Sequence, residues 1–152
     1  MVPLRRLCGF TLIELLVVFA IMALLVSVVP SAFERMREAV QYRDTLRTIQ
    51  ADMRQARREA LVTGKETRFT VDMHQRVYGL QDGRQHEVPA ALELRATVAG
   101  VELSPAGVAA IRFLPRGGAT GGSIDVLRAS GAGVRLRVDW LSGLVSQEAL
   151  AQ

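Results

Sequence analysis

The sequence predicts an α+β fold in which one long amino-terminal helix, first transmembrane and then amphipathic, packs on a carboxy-terminal antiparallel β-sheet or β-sandwich. Three observations carry this expectation. Residues Phe10 to Val29 form an apolar run with a single charge, apolar residues then recur at helical spacing as far as Ala60, and from Glu66 short segments alternate apolar and polar residues between turn formers. The boundaries that follow are a basic leader at 1–9, a transmembrane helix at 10–29, an amphipathic helix at 30–63 and a β domain at 64–152.

The run FTLIELLVVFAIMALLVSVV has the length a helix needs to cross a bilayer core. Fourteen of its residues are Leu, Ile, Val or Phe, which favours insertion by roughly 4 to 8 kcal/mol. Against this, the carboxylate of Glu14 costs about 3 kcal/mol at the bilayer centre and less near a helix end. Insertion therefore prevails. Arg5 and Arg6 precede the run and place the amino terminus in the cytoplasm and everything after Pro30 across the membrane, although the arginine-rich segment from Arg35 pulls the other way. A secretory signal peptide cut near Ser31-Ala32 is the competing reading, and Glu14 speaks against it, because an ionisable group inside an apolar core normally has a partner.

Gly9-Phe10-Thr11-Leu12-Ile13-Glu14, followed by Leu15-Leu16-Val17-Val18, resembles the type IV prepilin motif. The resemblance implies that a membrane aspartyl peptidase, the prepilin peptidase, cuts between Gly9 and Phe10 on the cytoplasmic side. It also implies that the new amino terminus of Phe10 is methylated and that the apolar helix survives in the mature protein. Glu14 would then lie near the terminal amine of a neighbouring subunit and set the register of assembly, pairing two charges that lipid otherwise penalises.

Pro30 removes a backbone donor and predicts a kink or short break. Beyond it, Phe33, Met36 and Val40, then Tyr42, Leu46, Ile49, Met53, Ala56 and Ala60, recur every three or four residues, while Arg43, Asp44, Arg47, Asp52, Arg54, Arg57, Arg58 and Glu59 occupy the other faces. Thr63-Gly64 supplies a stop. An unbroken helix from Phe10 to Val62 would be about 80 Å long. The apolar seam suits either a dimeric coiled coil or packing on the chain's own sheet, and the small Ala56 and Ala60 favour the sheet. Arg54, Arg57 and Arg58 could meet phosphate, but with Asp52 and Glu59 nearby they also suit a solvated face.

Six segments read as strands: ETRFTV, QRVYGL, LELRATV, VAAIRFLP, SIDVLRA and VRLRVDW. Asp82-Gly83 and Val88-Pro89 separate the early ones, and Arg116 to Gly122 and Ser130 to Gly133 read as connecting loops, the first as a hairpin. In VRLRVDW, taken as the last strand, Val134, Leu136, Val138 and Trp140 share one face. The glycine-rich stretch lacks the Lys-Ser or Lys-Thr and the following helix of a phosphate loop. His74 and His86 fall in expected turns with no nucleophile or carboxylate at catalytic spacing. The single Cys8 precedes the apolar run, so no intramolecular disulfide can form and no thiolate pair exists for zinc. No enzyme activity, cofactor or metal is expected. Charge points the same way: 19 basic against 15 acidic residues become 17 against 15 once Arg5 and Arg6 leave with the leader, a weak argument for nucleic acid.

Ile111-Arg112-Phe113-Leu114-Pro115-Arg116-Gly117, Thr120 to Ile124, Val134 to Val138 and Gly143 are similar to the GspH/FimT group of pilin-like proteins. This second resemblance implies a pilin-like fold and one of two machines. In the secretion branch the protein is a minor pseudopilin of the type II secretion pseudopilus, a structural subunit that helps export folded proteins across the outer membrane. The alternative is a FimT-like minor type IV pilin acting in pilus assembly or DNA uptake. DNA-handling members resemble one another in an arginine-rich tail after the final glycine, whereas here Gly143 is followed by Leu-Val-Ser-Gln-Glu. The secretion branch is therefore preferred and nucleic acid is not expected as a partner. The partners implied are the prepilin peptidase, other major and minor pseudopilins, the inner membrane and secreted protein substrates. The topology implied is a single pass through the bacterial inner membrane, with the β domain periplasmic and the subunit assembled into a periplasmic pseudopilus.

Overall fold

The computed structural model describes residues 10–104 and 106–150, without the side chains of 26–32, 35 and 101. It divides into two compact units, Met1–Glu38 and Ala39–Gln152. Helix α1 is assigned over Leu12–Thr63 and contributes to both. Helical assignment continues unbroken through Pro30, so the short break allowed there is not found; the Pro30 side chain lies outside the described set. The stop falls where the sequence placed it. Gly64 takes a left-handed φ of 68° and its N–H bonds the carbonyl of Ala60 at 3.1 Å, closing the last turn.

In the second unit eight strands form two four-stranded antiparallel sheets. β1 (Thr67–Asp72), β2 (Val77–Leu80), β3 (Gln85–Glu87) and β5 (Val108–Phe113) make the first, in the order β3-β2-β1-β5. β4 (Leu92–Thr97), β6 (Gly122–Arg128), β7 (Gly133–Val138) and β8 (Val145–Leu150) make the second, in the order β4-β6-β7-β8. The six expected segments coincide with β1, β2, β4, β5, β6 and β7. β3 and β8 were not expected, because neither alternates: β3 is three polar residues, and the four central residues of β8 all face solvent.

The helical seam is the centre of the core. Ile49, Met53, Ala56 and Ala60 are fully buried in one cluster with Phe69, Ile111 and Phe113 of the first sheet and Ile124, Val126 and Leu136 of the second. This is packing on the chain's own sheets. Further along α1 the Tyr42 ring sits beneath the Arg128 guanidinium of β6, 4.0 Å from the ring centroid.

Two expectations change. The glycine-rich stretch is a hairpin only in its first part, where Ala119 bridges antiparallel to Phe113 and Thr120 N–H bonds the Arg112 carbonyl at 2.9 Å; β5 and β6 lie in different sheets, and the rest of the stretch carries the chain between them. Gly122 shows why glycine is needed: its φ is 136°, and a Cβ there would stand 2.8 Å from the carbonyl oxygen of Thr97. Nor does Trp140 share the inner face of β7. That strand ends at Val138, and Trp140 begins a turn in which it is 67% exposed.

Candidate assembly surfaces

The amino end is built for display. Phe10 is exposed, and Thr11 acts as the helix N-cap, its Oγ1 accepting the N–H of Glu14 at 3.3 Å. Threonine followed three residues later by glutamate is a capping-box pattern, and a carboxylate in the first turn also favours the positive end of the helix dipole. Glu14 therefore has a local role that the sequence reading did not see. The side chains from Leu12 to Leu25 are exposed along the helix, as are Phe33, Met36 and Val40 further on. Among the described residues no helix is long and apolar enough to cross a membrane, and the described side chains of the apolar run stop at Leu25, short of its end at Val29. The cleavage position at Gly9 lies outside the described residues, so only Phe10 of that pair is placed.

The amphipathic half of α1 has two unlike flanks. One faces a groove of about 990 Å³ between the helix and the β2–β3 hairpin, lined by Asp52, Gln55 and Glu59 of α1 and by Asp82, Arg84 and His86. Asp52 was expected on a solvated face, but its side chain is only 13% exposed and its Oδ2 lies 3.4 Å from Nε2 of His86. The spacing satisfies an ion pair, while the geometry is not that of a hydrogen bond and Oδ2 has no other partner. Burial pushes the Asp52 carboxyl above its usual range, and His86 and then Arg84 oppose the shift. His86 is in β3 rather than a turn, and its ring stacks on Tyr78 with centroids 5.4 Å apart. Burial, reinforced by Asp52, raises the Tyr78 phenol, which hydrogen-bonds Thr45 and Thr48 of α1. Sequence spacing gave no hint of this cluster, since its members are 26 and 34 positions apart along the chain from Asp52 to Tyr78 and His86.

The other flank meets the turn from Asp139 to Leu144. Arg57 donates from Nε to the carbonyl of Ser142 at 3.0 Å. It is thus tied to the fold, whereas Arg54 and Arg58 are exposed. On the second sheet the register aligns Arg95, Asp125, Arg135 and Glu148 across four strands, a row of alternating sign. Arg135 grips Asp125 with two bonds of 2.7 and 2.8 Å, and Arg137 reaches Glu148 at 3.7 Å. Of the two arginines of β7 that could have met phosphate, Arg135 is therefore committed to a carboxylate of its own sheet, while Arg137 makes only an exposed contact. Glu102, nearly buried, is held by Arg112, whose Nη1 also reaches Glu66 at 3.2 Å. Among the described residues no group of three His, Cys, Asp or Glu side chains could hold a metal ion.

What these surfaces offer is apolar helix and charged sheet for other proteins to pack on, and similarity to known proteins points the same way. A family model described as Type II transport protein GspH matches residues 45–143, and one described as Prokaryotic N-terminal methylation motif matches residues 4–30. The chain is 36% identical over 141 residues to the Type II secretion system protein H of Xanthomonas campestris pv. campestris, covering 93% of this chain and 83% of that protein. Its fold is similar to the solved minor pseudopilin EpsH from the Type 2 Secretion System of Vibrio cholerae, with a TM-score of 0.57 and 14% identity over 74% of this chain and 99% of that one. The buried seam from Leu46 to Ala60 and strands β1 to β7 lie within residues 45–143, the motif at the amino end lies within 4–30, and the chain belongs to the GspH family of type II transport proteins.

Proposed function

We propose that this protein is a minor pseudopilin, a non-enzymatic structural subunit of the type II secretion pseudopilus that helps export folded proteins across the outer membrane. The observation that carries the reading is the presence in one chain of an amino-terminal methylation motif at 4–30 and a GspH match at 45–143. Each part then has a task. The prepilin peptidase cuts between Gly9 and Phe10, and Phe10 is methylated. The apolar helix holds the subunit in the inner membrane with its amino terminus cytoplasmic, then packs against other major and minor pseudopilins. Glu14 pairs with the terminal amine of a neighbour, a match of charges that an apolar surrounding makes costly to omit. The β domain stands on the periplasmic side, available to other minor subunits and to secreted proteins.

Deleting the gene tests the reading. Folded enzymes should accumulate in the periplasm, and the full chain supplied in trans should restore their release. Intact export together with lost pili would overturn it in favour of a minor type IV pilin.

A further inference from the structure

We infer that the turn between β7 and β8, with the basic flank of α1 beside it, is a docking surface for a partner protein that presents an apolar pocket rimmed by carboxylates. Trp140, Leu141 and Leu144 are 67%, 70% and 59% exposed, three large apolar side chains within five residues. Such a cluster on a soluble unit marks an interaction site.

The turn that carries them is held by its own hydrogen bonds and by three residues outside it. Asp139 Oδ1 accepts both the N–H and the hydroxyl of Ser142 at 2.8 Å. Asp139 N–H reaches the Leu144 carbonyl at 3.0 Å, and Ala119 N–H reaches the Trp140 carbonyl at 2.9 Å. Arg57 holds the Ser142 carbonyl, and Gly143 packs so closely on Gly117 that a Cβ would come within 2.6 Å of its carbonyl oxygen. An indole displayed on a fixed backbone loses little entropy when it is captured, which is why such residues dominate binding energy at interfaces.

Charge identifies the occupant. Arg54, Arg57 and Arg58 lie at helical spacing on the flank that touches the turn, and Arg116 precedes Gly117, whose added Cβ would lie 3.8 Å from Leu61. The one carboxylate within the turn, Asp139, is spent on Ser142. A second copy of this chain would bring arginines against arginines, so self-association is disfavoured. Nucleic acid would use the cations and leave Leu141 and Leu144 without a counterpart, whereas an acidic-rimmed protein pocket satisfies both. Within the assembly proposed above, on which this inference rests, that partner is another subunit of the filament.

The test installs p-benzoylphenylalanine at position 140 of the full chain in cells with a working secretion machine. The expected result is a light-dependent adduct with another pseudopilin through a peptide containing Asp or Glu. The adduct should fall at least tenfold in Arg58→Glu/Arg116→Glu. An adduct only with a second copy, with nucleic acid or with lipid overturns the proposal, as does an adduct indifferent to the charge reversals. A misfolded variant is recognised by loss of the chain from the membrane fraction, and Arg58→Gln/Arg116→Gln, which removes the charge without reversing it, should then still give at least a threefold loss. Export in the deletion strain separates the two ideas: normal export there defeats the pseudopilin reading, while abolished export with no adduct at position 140 defeats the surface alone.

Discussion

The Asp52 carboxylate of α1 stands 3.4 Å from the His86 imidazole of β3, and through His86 and Tyr78 it fastens the short edge strand β3 to the helix. Because burial raises the Asp52 carboxyl, the folded protein holds that proton more tightly than the unfolded chain does. The stabilisation this gives is complete below the ordinary value of 3.8 and is lost as pH rises through the higher folded value. Urea unfolding of the full chain in detergent should therefore show wild type losing stability relative to Asp52→Asn across that window. A gap that widens in favour of wild type as pH rises would mean that the pairing with His86 outweighs burial.

Asp139 behaves oppositely. The backbone N–H of Ser142, then its hydroxyl, hold the carboxyl below its usual range. Its contribution is present above 3.8 and disappears as pH falls through the lower folded value. Asp139→Ala should be less stable than wild type at neutral pH and converge with it in strong acid, as measured by paired unfolding curves.

Ala56 and Ala60 are fully buried where α1 meets the sheets. Ala56→Leu has no space to occupy and should cost about 1–3 kcal/mol, seen as a lower thermal midpoint. Were the seam a coiled-coil interface, the same substitution would strengthen association, so light scattering of the variant distinguishes the two arrangements.

The two roles at the amino end separate by mutation. Replacing Gly9 with a bulky residue should leave the leader uncut, visible as a slower-migrating band. Glu14→Leu should be cut normally yet fail to support export. It should also weaken the first turn of α1 slightly, by about 0.3–1 kcal/mol, through loss of a favourable charge at the helix end. Normal processing of the Gly9 variant would contradict cleavage at this position.

Much of the fold was legible in the sequence because local periodicity reports burial directly. The stripe from Tyr42 to Ala60 put six apolar side chains on one helical face that had to be covered, and the alternating segments likewise had one face to bury. The amino-terminal motif was legible for a different reason, since its residues are contiguous. β3 and β8 were invisible because a short or solvent-facing strand owes its existence to hydrogen bonds with a neighbour rather than to its own pattern.

The sequence by itself determined the class of molecule: a long helix, apolar and then amphipathic, joined to an antiparallel β domain, with GFTLIE at its start. Tertiary structure decided which charges are spent and which are presented. Whether Asp52 is solvated, whether Arg135 is free for a phosphate, and whether Trp140 is core or surface all depend on what stands opposite them. Packing of α1 on the first sheet brings His86 to Asp52, pairing of β6 with β7 brings Asp125 to Arg135, and the Ala119 N–H bound to the Trp140 carbonyl fixes the turn that leaves Trp140 exposed.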